Sequence, residues 1–162
     1  MVDFQASSSA QGRKFEDAVE TILRTEGCKI LAAHFADPVS HEEIDLIIET
    51  PSGTLMWLEC KGSWNVAKKN IPGLKRSDTS KKAVATAWHL RASHGDAMPP
   101  YLLVTSHMPN EGSYSDDLLT AAQAHGLFAG VVAFTDLPDW LRSFDQDGSA
   151  RRVTGDSKDV DQ

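Results

Sequence analysis

Asp45, Glu59 and Lys61 are the residues of this chain best placed to do chemistry together. They stand in two short apolar runs, Glu43-Ile44-Asp45-Leu46-Ile47-Ile48-Glu49 and Thr54-Leu55-Met56-Trp57-Leu58-Glu59-Cys60-Lys61, separated by Thr50-Pro51-Ser52-Gly53. The pattern predicts a hairpin with a tight turn. Side chains alternate along a strand, so Glu59 and Lys61 share a face and Cys60 turns to the other, toward the core. Asp45, on the neighbouring strand, reaches that spot if the register allows. Leu55-Met56-Trp57-Leu58 is apolar on both faces, the mark of a central, buried strand. Two carboxylates and an ammonium at the end of such a strand are costly unless something compensates them. A divalent cation is the natural compensator, because hard cations take carboxylate oxygens. The competing reading is a surface hairpin with a Glu59–Lys61 ion pair of little energetic weight.

Stepping outward, the elements that must hold these residues are legible in order. Phe15, Ala18, Val19, Ile22 and Leu23 form one apolar stripe, predicting a helix over residues 12–26 with Gly27 as its stop. Glu16 and Glu20 lie one turn apart on it, and either could face the hairpin. Lys29–Phe35 reads as a strand, the core hairpin follows, and residues 62–76 form a loop long enough to be functional. Trp64 in that loop could stack on a base, although packing beneath its own loop is the commoner fate of such a residue. A helix over residues 77–93 opens with Ser77 as N-cap and Asp78 in its first turn. Tyr101–Thr105 is a strand, Ser115–His125 a helix, Leu127–Phe134 the last strand, and residues 137–144 a short helix. The order α-β-β-β-α-β-α-β predicts an α/β fold, a mixed central sheet flanked by helices.

With these elements in place, Asp45 followed by Glu59-Cys60-Lys61 resembles the Asp…Glu-X-Lys signature of the PD-(D/E)XK nuclease superfamily. Gly12-Arg13-Lys14-Phe15-Glu16 is similar to that superfamily's first-helix motif, whose Glu leans into the metal site. Lys75-Arg76-Ser77-Asp78-Thr79-Ser80-Lys81-Lys82 is similar to the basic opening of the helix after the Glu-X-Lys strand. One departure is that Ile44 stands where the signature has Pro. The resemblance implies a restriction-endonuclease-like core over residues 12–144 and a Mg²⁺-dependent endonuclease of DNA, in defence or repair, with Mn²⁺ able to substitute. It implies Asp45 and Glu59 as metal ligands with the Cys60 carbonyl as a third, and Glu16 at a second metal or a metal-bound water. Lys61 would orient the attacking water or stabilise the oxyanion, and Lys81 or Lys82 would contact the phosphate near the cut. A chain that keeps the fold and binds nucleic acid or a partner without cutting is the alternative.

Charge supports a polyanionic partner. Residues 61–82 carry Lys61, Lys68, Lys69, Lys75, Arg76, Lys81 and Lys82 against Asp78 alone, in a chain of net charge −7. Cations there would hold a phosphate backbone beside the acids that hold the metal; a solvated lysine-rich loop is the plainer reading of the same run. At 162 residues, one domain is expected. Residues 1–11 read as a flexible N-terminus and residues 145–162 as a disordered polar tail. With so little chain outside the core, target choice falls to loops, to a homodimer, or to a separate specificity protein. No apolar run is long enough to span a membrane and the N-terminus lacks a basic-then-apolar signal, so a cytoplasmic location is expected. Cys28 and Cys60 are expected as free thiols. The six histidines read as ordinary, with His41 alone near the site. No Gly-X-Ser-X-Gly elbow or phosphate-cradling glycine loop is present, which argues against an α/β-hydrolase.

Overall fold

The computed structural model describes residues 3–63 and 73–155. Nine main elements follow one another: α1 (Asp3–Thr25), β1 (Lys29–Ala36), β2 (Glu43–Glu49), β3 (Leu55–Lys61), α2 (Ser77–His94), β4 (Tyr101–Thr105), α3 (Tyr114–Ala124), β5 (Gly130–Ala133) and α4 (Leu137–Gly155). The strands form one sheet in the order β1-β2-β3-β4-β5. The first three pair antiparallel, and β3-β4-β5 pair parallel through the crossover helices. The expected mixed sheet flanked by helices is therefore present.

β3 lies at the centre and is buried along almost its whole length. Its residues alternate between two cores. Met56, Leu58 and Cys60 pack with Phe15, Val19 and Leu23 of α1 and with Leu137 and Leu141 of α4. Trp57 packs with Ala83, Ala87 and Leu90 of α2, Leu119 of α3, and Tyr101 and Leu103 of β4. Helices thus cover both faces, as a parallel sheet requires.

Several boundaries differ from the sequence reading. α1 begins at Asp3 rather than Gly12, and α4 continues to Gly155 rather than stopping at 144, so each helix takes in residues whose composition suggested a flexible end. The last strand is shorter than expected: after Ala133 the chain tightens into a 3₁₀ turn over Phe134–Asp136. Gly130 on that strand touches Trp140, whose indole occupies the space a Cβ would need. Cys28 and Cys60 are both buried and free, and burial raises the Cys28 thiol to about 11. No helix among the described residues is long and apolar enough to cross a membrane.

Candidate metal centre

The ends of β1, β2 and β3 meet beside α1, and this is where the candidate residues collect. The β2–β3 ladder runs from Glu49 opposite Leu55 to Leu46 opposite Leu58 and stops there. Beyond it, the Cys60 amide donates to Asp45 Oδ2 at 2.7 Å. A carboxylate has taken over as partner for the strand, and this fixes Asp45 against the end of β3. Burial, and after it the negative charge of Glu59, pushes the Asp45 carboxyl up to about 7, against the pull of the Cys60 amide and Lys61.

Glu59 and Lys61 do share a face. Lys61 Nζ forms an ion pair with Glu59 Oε1, and the buried Tyr101 hydroxyl donates to Glu59 Oε2 at 2.7 Å. Both oxygens of Glu59 are thus engaged, in a side chain only 5% exposed. Burial works against the Lys61 ammonium, but the charge and hydrogen bond of Glu59 outweigh it and raise its pKa. Tyr101 is brought there by the parallel register that sets Trp57 beside Tyr101 and Glu59 beside Leu103.

Glu16 reaches the same place from α1. Phe15 on the adjacent position is wholly buried, with Val19 and Leu23 one and two turns on, so the helix is seated by its apolar stripe and Glu16 is delivered at the sheet edge. Its pKa is raised by burial, partly offset by His34. Gly62, just past Lys61, lies against the Phe15 ring: a Cβ would stand 2.7 Å from its edge. The close approach of α1 to the end of β3 therefore depends on a residue with no side chain.

His34 completes the group, contrary to the expectation that the histidines are ordinary and that His41 alone lies near the site. It lies in β1 between Ala33, opposite Leu46, and Phe35, opposite Ile44, which sets it across from Asp45. Its φ of 49° is a left-handed conformation rare for a residue with a side chain. Its Nε2 is 3.0 Å from Glu16 Oε2 and its Nδ1 is 3.1 Å from Glu43 Oε1. The Glu43 hydrogen bond is the main cause that raises its pKa, with Glu16 adding to it. Glu16, His34 and Asp45 each offer a ligand atom within 4.8 Å of the others, a set able to hold a metal ion. His41, by contrast, is exposed in the β1–β2 turn, its amide bonded to the Asp37 carbonyl. Counting back through that turn from Asp45 would have found His34, since antiparallel partners are fixed by register.

The β1–β2 turn is fastened to α2. Asp37, 3% exposed, accepts from the Ser40 amide and hydroxyl and lies 2.8 Å from His94 Nε2, and Glu42 lies 2.9 Å from His89 Nδ1. Burial would raise the Asp37 carboxyl, but these hydrogen bonds prevail and hold it well below the usual range.

The expected nucleic-acid contacts are only partly placed. Trp64, Lys68 and Lys69 lie outside the described residues. Lys75 and Arg76 stand exposed before α2, and Arg76 forms a two-bond pair with Asp78. Lys81 lies over the Tyr114 ring at 5.1 Å, on the groove side of α2 that also carries Val84 and Trp88, and Lys82 is exposed beside it. Neither lysine of that pair has a contact with Glu59 or Asp45 among those described.

Comparison with known proteins gives the fold a neighbour and no family. No family model matches the chain, and no curated protein matches it. A solved structure, that of Pyrococcus furiosus SfsA in complex with Ca²⁺, is similar at 21% identity and a TM-score of 0.44. The similarity covers 78% of this chain but 55% of that one, so the chain spans little more than half of the length of the protein it resembles.

Proposed function

We propose that this chain is a metal-dependent phosphodiesterase that hydrolyses DNA internally, built on a restriction-endonuclease-like core, with a role in defence against foreign DNA or in repair. The observation that carries this reading is the meeting of Glu16, Asp45 and Glu59 around Lys61 at one end of a buried strand. Three acids so placed repel one another, and that repulsion adds to burial, the larger cause, in raising the Asp45 carboxyl. Oxygen donors from Asp45 and Glu16, with the Cys60 carbonyl between Glu59 and Lys61, suit Mg²⁺ or Mn²⁺. Glu59 would join them through lone pairs that Lys61 and Tyr101 leave unused.

The chemistry a divalent cation supplies, when bound, is charge neutralisation at the phosphoryl oxygens and a more acidic attacking water. The chain does the rest. Asp45 is held by the Cys60 amide, so its free oxygen keeps a fixed direction. Lys61 is held by Glu59, which Tyr101 fixes in turn, and its raised pKa keeps it an ammonium. That favours Lys61 as a donor to the developing oxyanion over a role as base toward water. Lys75, Lys81 and Lys82 would hold the phosphate backbone, with the contribution falling as salt rises.

Supercoiled plasmid, linear duplex and branched DNA, each with Mg²⁺, Mn²⁺ or EDTA, test the activity and its substrate together. Asp45→Ala and Lys61→Ala should abolish metal-dependent cleavage while circular dichroism shows the fold intact. Cleavage at the wild-type rate by either variant overturns the assignment. One observation favours a second reading, a module that binds nucleic acid without cutting: both oxygens of Glu59 are already engaged by Lys61 and Tyr101. Calorimetry separates the two, because such a module takes up no Mg²⁺ or Mn²⁺ through its carboxylates.

A further inference from the structure

We infer that His34 is a nitrogen ligand of the metal centre, oriented by Glu43, and that it makes the centre prefer first-row transition cations to Mg²⁺. The inference rests on the proposed metal site but goes beyond it, since an all-oxygen set would carry a weaker preference of this kind.

Three observations carry it. His34 Nε2 points into the space shared with Glu16 and Asp45, with ligand atoms no more than 4.8 Å apart. Its other ring nitrogen is matched to a carboxylate, Glu43 Oε1 at 3.1 Å. When Glu43 accepts the Nδ1 proton, the neutral ring has its lone pair on Nε2, the nitrogen aimed at Glu16. A carboxylate behind an imidazole is the usual way that a protein fixes the tautomer and direction of a metal-ligating histidine. Finally, β1 sets His34 across from Asp45 at φ 49°, while the strand on either side stays paired to β2. Glu59, by contrast, gives its oxygens to Lys61 and Tyr101. The donors that face one another across the gap are therefore two oxygens and one nitrogen.

Hard Mg²⁺ demands oxygen and gives up water reluctantly, whereas imidazole suits the first-row divalent ions, whose affinities rise from Mn²⁺ to Co²⁺. The expected order of affinity is Mg²⁺ below Mn²⁺ below Co²⁺. Replacing His34 should compress that order, with Mn²⁺ and Co²⁺ weakened by about ten-fold or more and Mg²⁺ little changed. Glu43→Gln should weaken Co²⁺ by about ten-fold while leaving the ligand in place.

The experiment is calorimetric titration of the full chain with each of the three ions, together with pulsed electron paramagnetic resonance of the Mn²⁺ form. His34→Asn is the main variant, because Asn tolerates the left-handed backbone, and His34→Gln is the second. Nitrogen modulation of the Mn²⁺ signal that vanishes in both variants supports the inference, even should the protein cleave no DNA. Mn²⁺ bound through Asp45 with no nitrogen modulation overturns it and leaves the phosphodiesterase reading standing. Absence of any Mn²⁺ uptake by the wild type overturns both.

Discussion

Asp45→Asn should make the protein more stable and inactive at once. The Asp45 carboxyl sits at about 7 because burial and Glu59 oppose its ionisation. In the unfolded chain it ionises near 3.9. The folded state therefore holds a proton that the unfolded state has lost, and stability falls as pH rises between those two values. The full penalty, reached above about pH 7, corresponds to about 4 kcal/mol. Asp45 is only partly buried, and solvent screens some of that, so a gain of about 2 kcal/mol is expected for the neutral amide. Asn keeps an oxygen for the Cys60 amide, so the 2.7 Å bond that caps the ladder survives. For a chain of this length the gain corresponds to a rise of about 4–8 °C in melting temperature. Urea unfolding and thermal melts in EDTA, from pH 5 to 8.5, read it directly. The advantage of the variant should grow up to about pH 7 and then level off. Added Mn²⁺ should raise the melting temperature of the wild type and leave the variant unmoved. A variant less stable than wild type at pH 8, or an advantage independent of pH, refutes the reasoning.

Three further outcomes follow from single contacts. Gly62→Ala should cost about 1–3 kcal/mol by urea unfolding, because its Cβ meets the wholly buried Phe15 ring, and it should weaken Mn²⁺ binding by shifting the helix that bears Glu16. Tyr101→Phe should cost about 1–3 kcal/mol in the same assay, as Glu59 Oε2 loses its buried donor. Asp37→Asn should cost about 1.5–3 kcal/mol at neutral pH by loosening the turn from His94. Because the folded carboxyl is depressed, that last difference should close as pH falls below about 4.

How much of this was readable in advance follows from the range of each contact. The hairpin is local: its register is set by the turn and the alternation of Ile, Leu and Trp, so the shared face of Glu59 and Lys61 followed from the letters alone. The helical stripe left Glu16 and Glu20 both able to face the hairpin, and only the resemblance of residues 12–16 to a first-helix motif singled out Glu16. His34 did not follow, because its place opposite Asp45 depends on a register counted through the β1–β2 turn. Tyr101 did not either. Its meeting with Glu59 needs the parallel pairing of β3 with β4, set only after α2 has crossed the sheet. The ends of α1 and α4 were missed because composition reports hydrophobic stripes, and the outer turns of both helices are polar.

Arg142 on α4 grips Glu26 at the foot of α1 through two hydrogen bonds of 2.9 and 2.8 Å, and Asp145 holds the amide of Ser52 in the hairpin turn. Glu26 and Arg142 lie 116 residues apart, so the helix that bears Glu16 is synthesised well before its brace. A nascent polypeptide that has exposed Asp45, Glu59 and Lys61 still lacks that support. The helix that bears Glu16 therefore gains its full bracing only once α4 has been made.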